Sequence, residues 1–193
     1  MLGGTIRGKR ISLRTPREGD LSLVGRLAAD LRVRREGQLW AEPATGATWK
    51  SRLTEAAADN DAVVWTIEAD TRPVGLARAG IERGDRKGHI QELTIDPELW
   101  GRGLGSDAAL ALHRYFFDYL DWKSCNAELA ADNARGLRIA ARLGYREFGR
   151  GHSVYYRDGS YTDDVWLRFD RKTWDERWSG EREYPPFAEG IER

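Results

Sequence analysis

Between Ile95 and Ser106 the chain reads Ile-Asp-Pro-Glu-Leu-Trp-Gly-Arg-Gly-Leu-Gly-Ser, a β-type run broken by a proline and followed by a glycine-rich turn that opens a helical pattern. These residue types at this spacing suit the binding of an anion. Gly101, Gly103 and Gly105 allow a tight turn and leave bare N–H groups pointing outward, and the following helix adds the positive end of its dipole. Arg102 adds a guanidinium matched to phosphate oxygens. Glycine-rich turns also occur without any ligand, so the loop takes its meaning from its surroundings. It is not a P-loop, because no glycine here is followed by Lys and Ser/Thr. It is a poor dinucleotide fingerprint, because Ser106 or Ala108 stands where the third glycine belongs and the preceding strands read as an antiparallel meander.

The elements that must position this loop follow from periodicity. Lys9–Arg14 reads as a first strand, with Asp20 as N-cap of a helix to about Ala29, an irregular segment over 30–45, and a second helix over about Ala47–Ala58. Val63, Trp65 and Ile67 alternate as a strand, Val74 and Leu76 begin another, and Gly84-Asp85 turns the chain into a strand from about Lys87 to Ile95. From Leu104, apolar residues recur at 108, 112, 115, 116 and 119, a helical spacing that packs on the sheet. Ala127–Ala130 is a short strand, Asn133–Leu143 a helix closed by Gly144, and Asp158-Gly159 a type I′ turn between two last strands. Trp65 and Trp166 sit in strand patterns and read as core.

Two signatures in this layout resemble the GNAT superfamily of acyl-coenzyme A N-acetyltransferases. Trp100-Gly101-Arg102-Gly103-Leu104-Gly105 is similar to its acyl-coenzyme A loop, and Asn133-Ala-Arg-Gly-Leu-Arg-Ile-Ala-Ala-Arg-Leu-Gly-Tyr145 to its second signature, an Asn opening a helix that ends in Leu-Gly-Phe/Tyr. Arg157-Asp-Gly-Ser-Tyr to Asp164-Val-Trp-Leu resembles the last hairpin of the RimJ/RimL and spermidine acetyltransferase branch. The resemblance covers roughly 84 to 170 well, and the earlier residues in layout only. It implies an α/β fold with a mixed, mostly antiparallel central sheet of about seven strands and about four flanking helices. It also implies acetyl-coenzyme A as co-substrate, held by Trp100 to Ser106, by Asn133, and by the backbone of Leu93, Thr94 and Ile95, where two strands splay apart. Asn133 is also a favoured helix N-cap, and both roles can coexist.

Acyl transfer to an amine needs a neutral nucleophile, a polarised thioester carbonyl and a proton for the leaving thiolate. Glu92 and Glu128 occupy the two splayed strands as candidate bases, with His89 a third; taken singly, each reads more readily as a solvated or ion-paired strand residue. The tyrosine that many members place seven residues after the helix-opening Asn is Ala140 here, and the serine of the RimL branch is Gly136. Water, Tyr145, Tyr155 or no acid at all must serve. Trp40 with Glu36 and Glu42 could hold a cationic amine in the irregular segment, or form a surface loop with one anchoring aromatic.

Composition fits one catalytic domain spanning 1–193, with 174–193 as a C-terminal extension. Lys plus Arg and Asp plus Glu both number 31, so no net field favours nucleic acid or a membrane. The single Cys125 forms no intrachain disulfide and three scattered histidines offer no metal-ligand spacing. The N-terminal segment lacks an apolar signal, which points to a cytoplasmic protein. The expected activity is transfer of acetyl to a primary amine of a small molecule or protein N-terminus, with a homodimer compatible. The alternative is a non-catalytic acyl-coenzyme A sensor, suggested by the absent acid.

Overall fold

The computed structural model describes residues 5–36, 47–48, 51, 54 and 61–179. Eight strands form one sheet: β1 (Ile6–Arg7), β2 (Ser12–Arg14), β3 (Ala62–Ala69), β4 (Arg72–Glu82), β5 (Lys87–Ile95), β6 (Ser124–Ala130), β7 (Arg146–Arg157) and β8 (Ser160–Asp170). Their order is β1-β2-β3-β4-β5-β6-β8-β7, antiparallel throughout except for β5 against β6. Five α-helices are described: α1 (Leu21–Ala29), α2 (Leu31–Glu36), α3 (Leu104–Arg114), α4 (Ala134–Leu143) and α5 (Arg171–Arg177). This is the mixed α/β architecture expected, with one more strand and one more helix than anticipated.

Alternation along each strand sends the apolar residues to the face that α3 and α4 cover. Leu13, Trp65, Ile67, Ala77, Ala79, Ile81, Cys125 and Phe169 pack there with Ala108, Leu112 and Phe116 of the α3 segment. Ala127, Leu129, Val165 and Leu167 receive α4 through Leu137 and Ala140. Phe116 stacks on Trp122 with ring centroids 4.0 Å apart, and Trp174 of α5 stacks on Phe117 at 5.7 Å. The opposite face is covered by α1 over β4, where Val24 meets Leu76.

Several local expectations are corrected. Lys9–Arg14 is not one strand: Gly8–Ile11 turns between β1 and β2, because the Asp107 carboxylate on α3 accepts the backbone N–H groups of Lys9, Arg10 and Ile11 at 2.9, 2.6 and 3.2 Å. Residues 31–36 are helical rather than irregular, with Val33 buried against Leu23 and Leu27. A π-helical turn over Tyr115–Tyr119 rotates Tyr119 outward, leaving it 45% exposed. The boundary drawn at 174 falls inside α5, whose Trp174 is buried and donates its indole N–H to Asp118 at 2.7 Å. The helix expected over 47–58 lies almost wholly outside the described residues.

Asp20 does not cap α1 through its side chain. Its carboxylate turns inward, accepting from Arg14 at 2.8 and 2.9 Å, from Thr66 Oγ1 at 2.8 Å and from the Arg17 backbone N–H at 2.8 Å, while Arg14 Nε reaches Glu68 at 2.7 Å. Burial opposes ionisation, and the bonds from Arg14, Arg17 and Thr66 overcome it, so the carboxyl titrates at about 2 instead of 3.8. The stabilisation is therefore complete above the ordinary carboxylate range and is lost as pH falls toward 2. Asp20→Asn should cost on the order of 3 kcal/mol at neutral pH in urea unfolding. The gap from wild type should close on acidification through that window; a pH-independent gap would refute the ion-pair account.

Candidate active site

β5 and β6 pair in parallel register for four residues, Lys87 with Ser124 through Ile90 with Ala127, and then part. Beyond that point β5 continues along β4 alone and β6 along β8 alone. One residue causes the divergence. Between the pairs Arg78↔Glu92 and Ala79↔Ile90, Gln91 is an extra residue in β5, a β-bulge that bends the strand and increases its twist. The bulge also resets alternation, so Ile90, Leu93 and Ile95 pack toward α3 while His89, Glu92 and Thr94 lie on the α1 face.

At the open end of the splay, Asp96 ends β5 by capping the short 3-10 turn Pro97–Leu99, accepting Glu98 N–H at 3.1 Å and Arg26 at 2.5 Å. The glycine loop follows. Gly101 and Gly103 have φ of 78° and 82°, and Gly103 is the N-cap of α3. A Cβ on Gly101 would meet nothing within 4 Å, so the loop faces open space there. The first-turn N–H groups of α3 have no intrahelical acceptor, which fits a pyrophosphate. Arg10 braces the loop, donating to the Arg102 carbonyl at 2.9 Å, and Arg102 itself is exposed.

The expected cofactor residues gather here. The Ile95 carbonyl already accepts Trp100 Nε1 at 2.8 Å. Asn133 caps α4, with its Oδ1 accepting Gly136 N–H at 2.8 Å, and its Nδ2 donates to the Glu36 carbonyl at 2.5 Å. Arg135 lies 4.2 Å over the Trp100 ring and pairs with the Glu36 carboxylate. Glu36, named as an amine ligand, is thus engaged by Asn133 and Arg135; Trp40 and Glu42 lie outside the described residues.

The three candidate bases share the α1 face but differ in surroundings. Glu92 is partly buried opposite Arg78, and burial pushes its carboxyl above the ordinary range while the Thr94 hydroxyl and the Arg78 charge pull it back. Glu128 is exposed and opposite Trp166. His89 leans over Gly80, where a Cβ would come within 2.3 Å of its ring, and its Nε2 lies 2.9 Å from the Gln91 amide nitrogen. That pairing occupies the nitrogen a base would use.

Tyr145 turns away from this face. Its hydroxyl bonds His113 Nε2 at 2.7 Å, and His113 Nδ1 lies 2.7 Å from the Ala109 carbonyl. Nδ1 therefore donates and Tyr145 donates to Nε2, a neutral arrangement in which burial lowers His113 to about 4 and raises the phenol. Cys125, beside them, is fully buried, and its thiol is pushed up to about 12. Ala140 is buried, and a Cβ at Gly136 would stand 2.9 Å from the Asn133 amide, so neither position offers a proton.

Sequence reasoning missed a second row on the α1 face. Because Val165, Leu167 and Phe169 point to the core, Asp164, Trp166 and Arg168 fall on the other side, beside Ala130, Glu128 and Asn126 of β6. Trp166, expected in the core, is 38% exposed and donates its indole N–H to Asp164 at 2.9 Å. Tyr155 of β7 stands next to Asp164. Burial, the charge of Asp164, a hydrogen bond to the Asp164 carboxylate and the Glu128 charge push its phenol up to about 12, against the pull of Arg157. Alternation within the last strand could have exposed this row; the pairing register could not be read from one chain.

Residues 10–146 match the family model described as acetyltransferase (GNAT) domain. An uncharacterized N-acetyltransferase of Methanocaldococcus jannaschii is 30% identical over 108 residues, covering 56% of this chain and 65% of that protein, so the match spans just under two thirds of that relative. Among solved structures, spermidine N-acetyltransferase from Vibrio cholerae in complex with CoA and spermine superposes with TM-score 0.77 at 18% identity, over 86% of this chain and 98% of that one. RimL, a ribosomal L7/L12 alpha-N-protein acetyltransferase in complex with coenzyme A, superposes with TM-score 0.76 at 16% identity, over 86% and 97%. These structures share the fold, and the family match extends across the glycine loop, the splayed strands and α4: the chain belongs to the GNAT acetyltransferase family.

Proposed function

We propose that this chain is an acetyl-coenzyme A-dependent N-acetyltransferase that transfers acetyl directly to a primary amine of a small molecule or protein N-terminus. The observation that carries this reading is the parting of β5 and β6 beyond Ile90 and Ala127, with the glycine loop at its open end. Between the strands lie backbone groups of 91–95 suited to a pantetheine arm, and at the loop lie N–H groups suited to its phosphates. The coenzyme A named with the Vibrio cholerae and RimL structures supports the same occupant here.

Chemistry follows from the groups on the α1 face. The neutral amine nitrogen attacks the thioester carbonyl carbon while a strand N–H polarises its oxygen. Glu92 takes the amine proton, directly or through water, and the C–S bond breaks. The thiolate leaves readily and takes a proton from solvent, so Ala140 and Gly136 need not supply one. A carboxyl raised by burial is a stronger base than an exposed one, which favours Glu92 over Glu128. The absent acid equally suits a sensor that binds acyl-coenzyme A without turnover; amine-dependent release of free thiol from acetyl-coenzyme A separates the two.

Gly103→Val, placed at φ 82°, should weaken acetyl-coenzyme A binding by about tenfold or more in calorimetry, because a β-branched residue strains this backbone and crowds the cradle. Unchanged affinity would remove the loop from the site. Glu92→Gln should lower kcat/KM by roughly 10²–10⁴ and abolish the acid limb of its pH profile. In the wild type that limb should inflect above the ordinary carboxylate value of 4.5, since activity appears as Glu92 loses its proton. An intact limb in Glu92→Gln would move the base to Glu128 or His89.

A further inference from the structure

The turn between β1 and β2 reads Gly8-Lys9-Arg10-Ile11, and its N–H groups at 9, 10 and 11 converge on one carboxylate in the first turn of α3. Asp107 Oδ1 accepts Lys9, and Oδ2 accepts Arg10 and Ile11, so both oxygens are engaged there. Gly8 permits the approach, since a Cβ at that position would stand 2.7 Å from Asp107 Oδ2. The Asp107 N–H donates to the Gly103 carbonyl at 3.0 Å, which fixes the hairpin turn to the helix one turn past the glycine loop.

Arg10 reaches from this turn back onto the loop. Its Nη1 donates to the Arg102 carbonyl at 2.9 Å and lies 3.9 Å from the point that a Cβ on Gly103 would occupy. The guanidinium therefore stands beside the N-cap of α3, brought there from 92 residues away in sequence. Its other N–H groups have no acceptor among the described residues, and no carboxylate pairs with it there. By contrast, Arg14, Arg26 and Arg32 each meet a carboxylate. An arginine held at its backbone and at its tip has already given up much of its rotamer freedom, so it pays little to engage an anion, and its planar fork matches phosphate oxygens.

We infer that Arg10 is a phosphate-binding residue of the acyl-coenzyme A site. With Nη1 on the Arg102 carbonyl, its remaining N–H groups take a pyrophosphate oxygen at the start of α3. This rests on the transferase reading above for the identity of the anion, and it makes the N-terminal hairpin part of the cofactor site.

The test is calorimetric binding of coenzyme A and of dephospho-coenzyme A, which lacks only the 3′-phosphate, to the full chain. Arg10→Ala should weaken both about tenfold, because both keep the pyrophosphate. A misfolded fraction would lower the stoichiometry and leave the affinity of the rest unchanged. Affinity should also fall less steeply with added potassium chloride in Arg10→Ala than in the wild type, a readout that loss of a neutral brace would not move. Arg10→Lys, which keeps the charge but not the fork, should lie between the two in affinity and keep the wild-type salt slope. Unchanged affinity in Arg10→Ala, a loss with the wild-type slope, a loss for coenzyme A alone, or Arg10→Lys as weak as Arg10→Ala would each overturn the proposal. Wild-type binding without these dependencies sinks only the assignment of Arg10, while a wild type that binds neither ligand sinks the transferase reading with it.

Discussion

The arrangement of the site depends on one extra residue. Without the bulge at Gln91, alternation from Ile90 would carry residues 92 and 94 to the α3 face, burying Glu92 in the apolar layer and turning Leu93 and Ile95 toward solvent. With it, the same strand keeps its apolar side chains in the core on both sides of the irregularity and still delivers a carboxylate to the opposite face. The local increase in twist bends β5 from β6 immediately after their last shared pair, so the opening and the orientation of Glu92 have a single cause.

A gap in a sheet exposes unpaired backbone and must be held open by what surrounds it. Above the splay, α3 is fixed to the first hairpin by the three backbone bonds to Asp107, and α4 is fixed to β6 and β8 by Leu137, Ala140 and their apolar partners. Both helix starts, with Gly103 and Asn133 as N-caps, therefore sit on rigid supports at the mouth of the opening. Backbone N–H groups discriminate an anion only when their directions are set in advance, so this rigidity suits the phosphate cradle proposed at Gly103.

The helices and most strands were legible from the sequence because their signals are local: the Asn133 cap, the Gly144 stop with φ 113°, the Asp158-Gly159 turn with both φ positive, and the spacing from Leu104. The glycine loop was legible for the same reason. What escaped depends on pairing between distant segments. Asp20 has the residue type of an N-cap, but Arg14 and Thr66, brought alongside by β2 and β3, outcompete the helix end for its carboxylate. Trp166 has the residue type of a core anchor, yet the parity set by Val165 and Leu167 places it outside. Asp164 and Asn126 became visible as a row only through the register of β6 against β8.

Asp20 and Glu92 show how one fold gives carboxylates opposite characters. Both are taken from bulk water, which alone would raise each of them. Asp20 meets a guanidinium end-on, a hydroxyl and a backbone N–H, so its charge is fixed and it is spent on structure. Among the described residues Glu92 meets the Thr94 hydroxyl and the charge of Arg78, and desolvation prevails. A base must be willing to accept a proton at working pH, and a carboxylate held as firmly as Asp20 would refuse one. The weaker solvation of Glu92 is the property that suits it to the role of base proposed above, and its place one residue past a bulge, beside an opening in the sheet, leaves it with those two partners among the described residues.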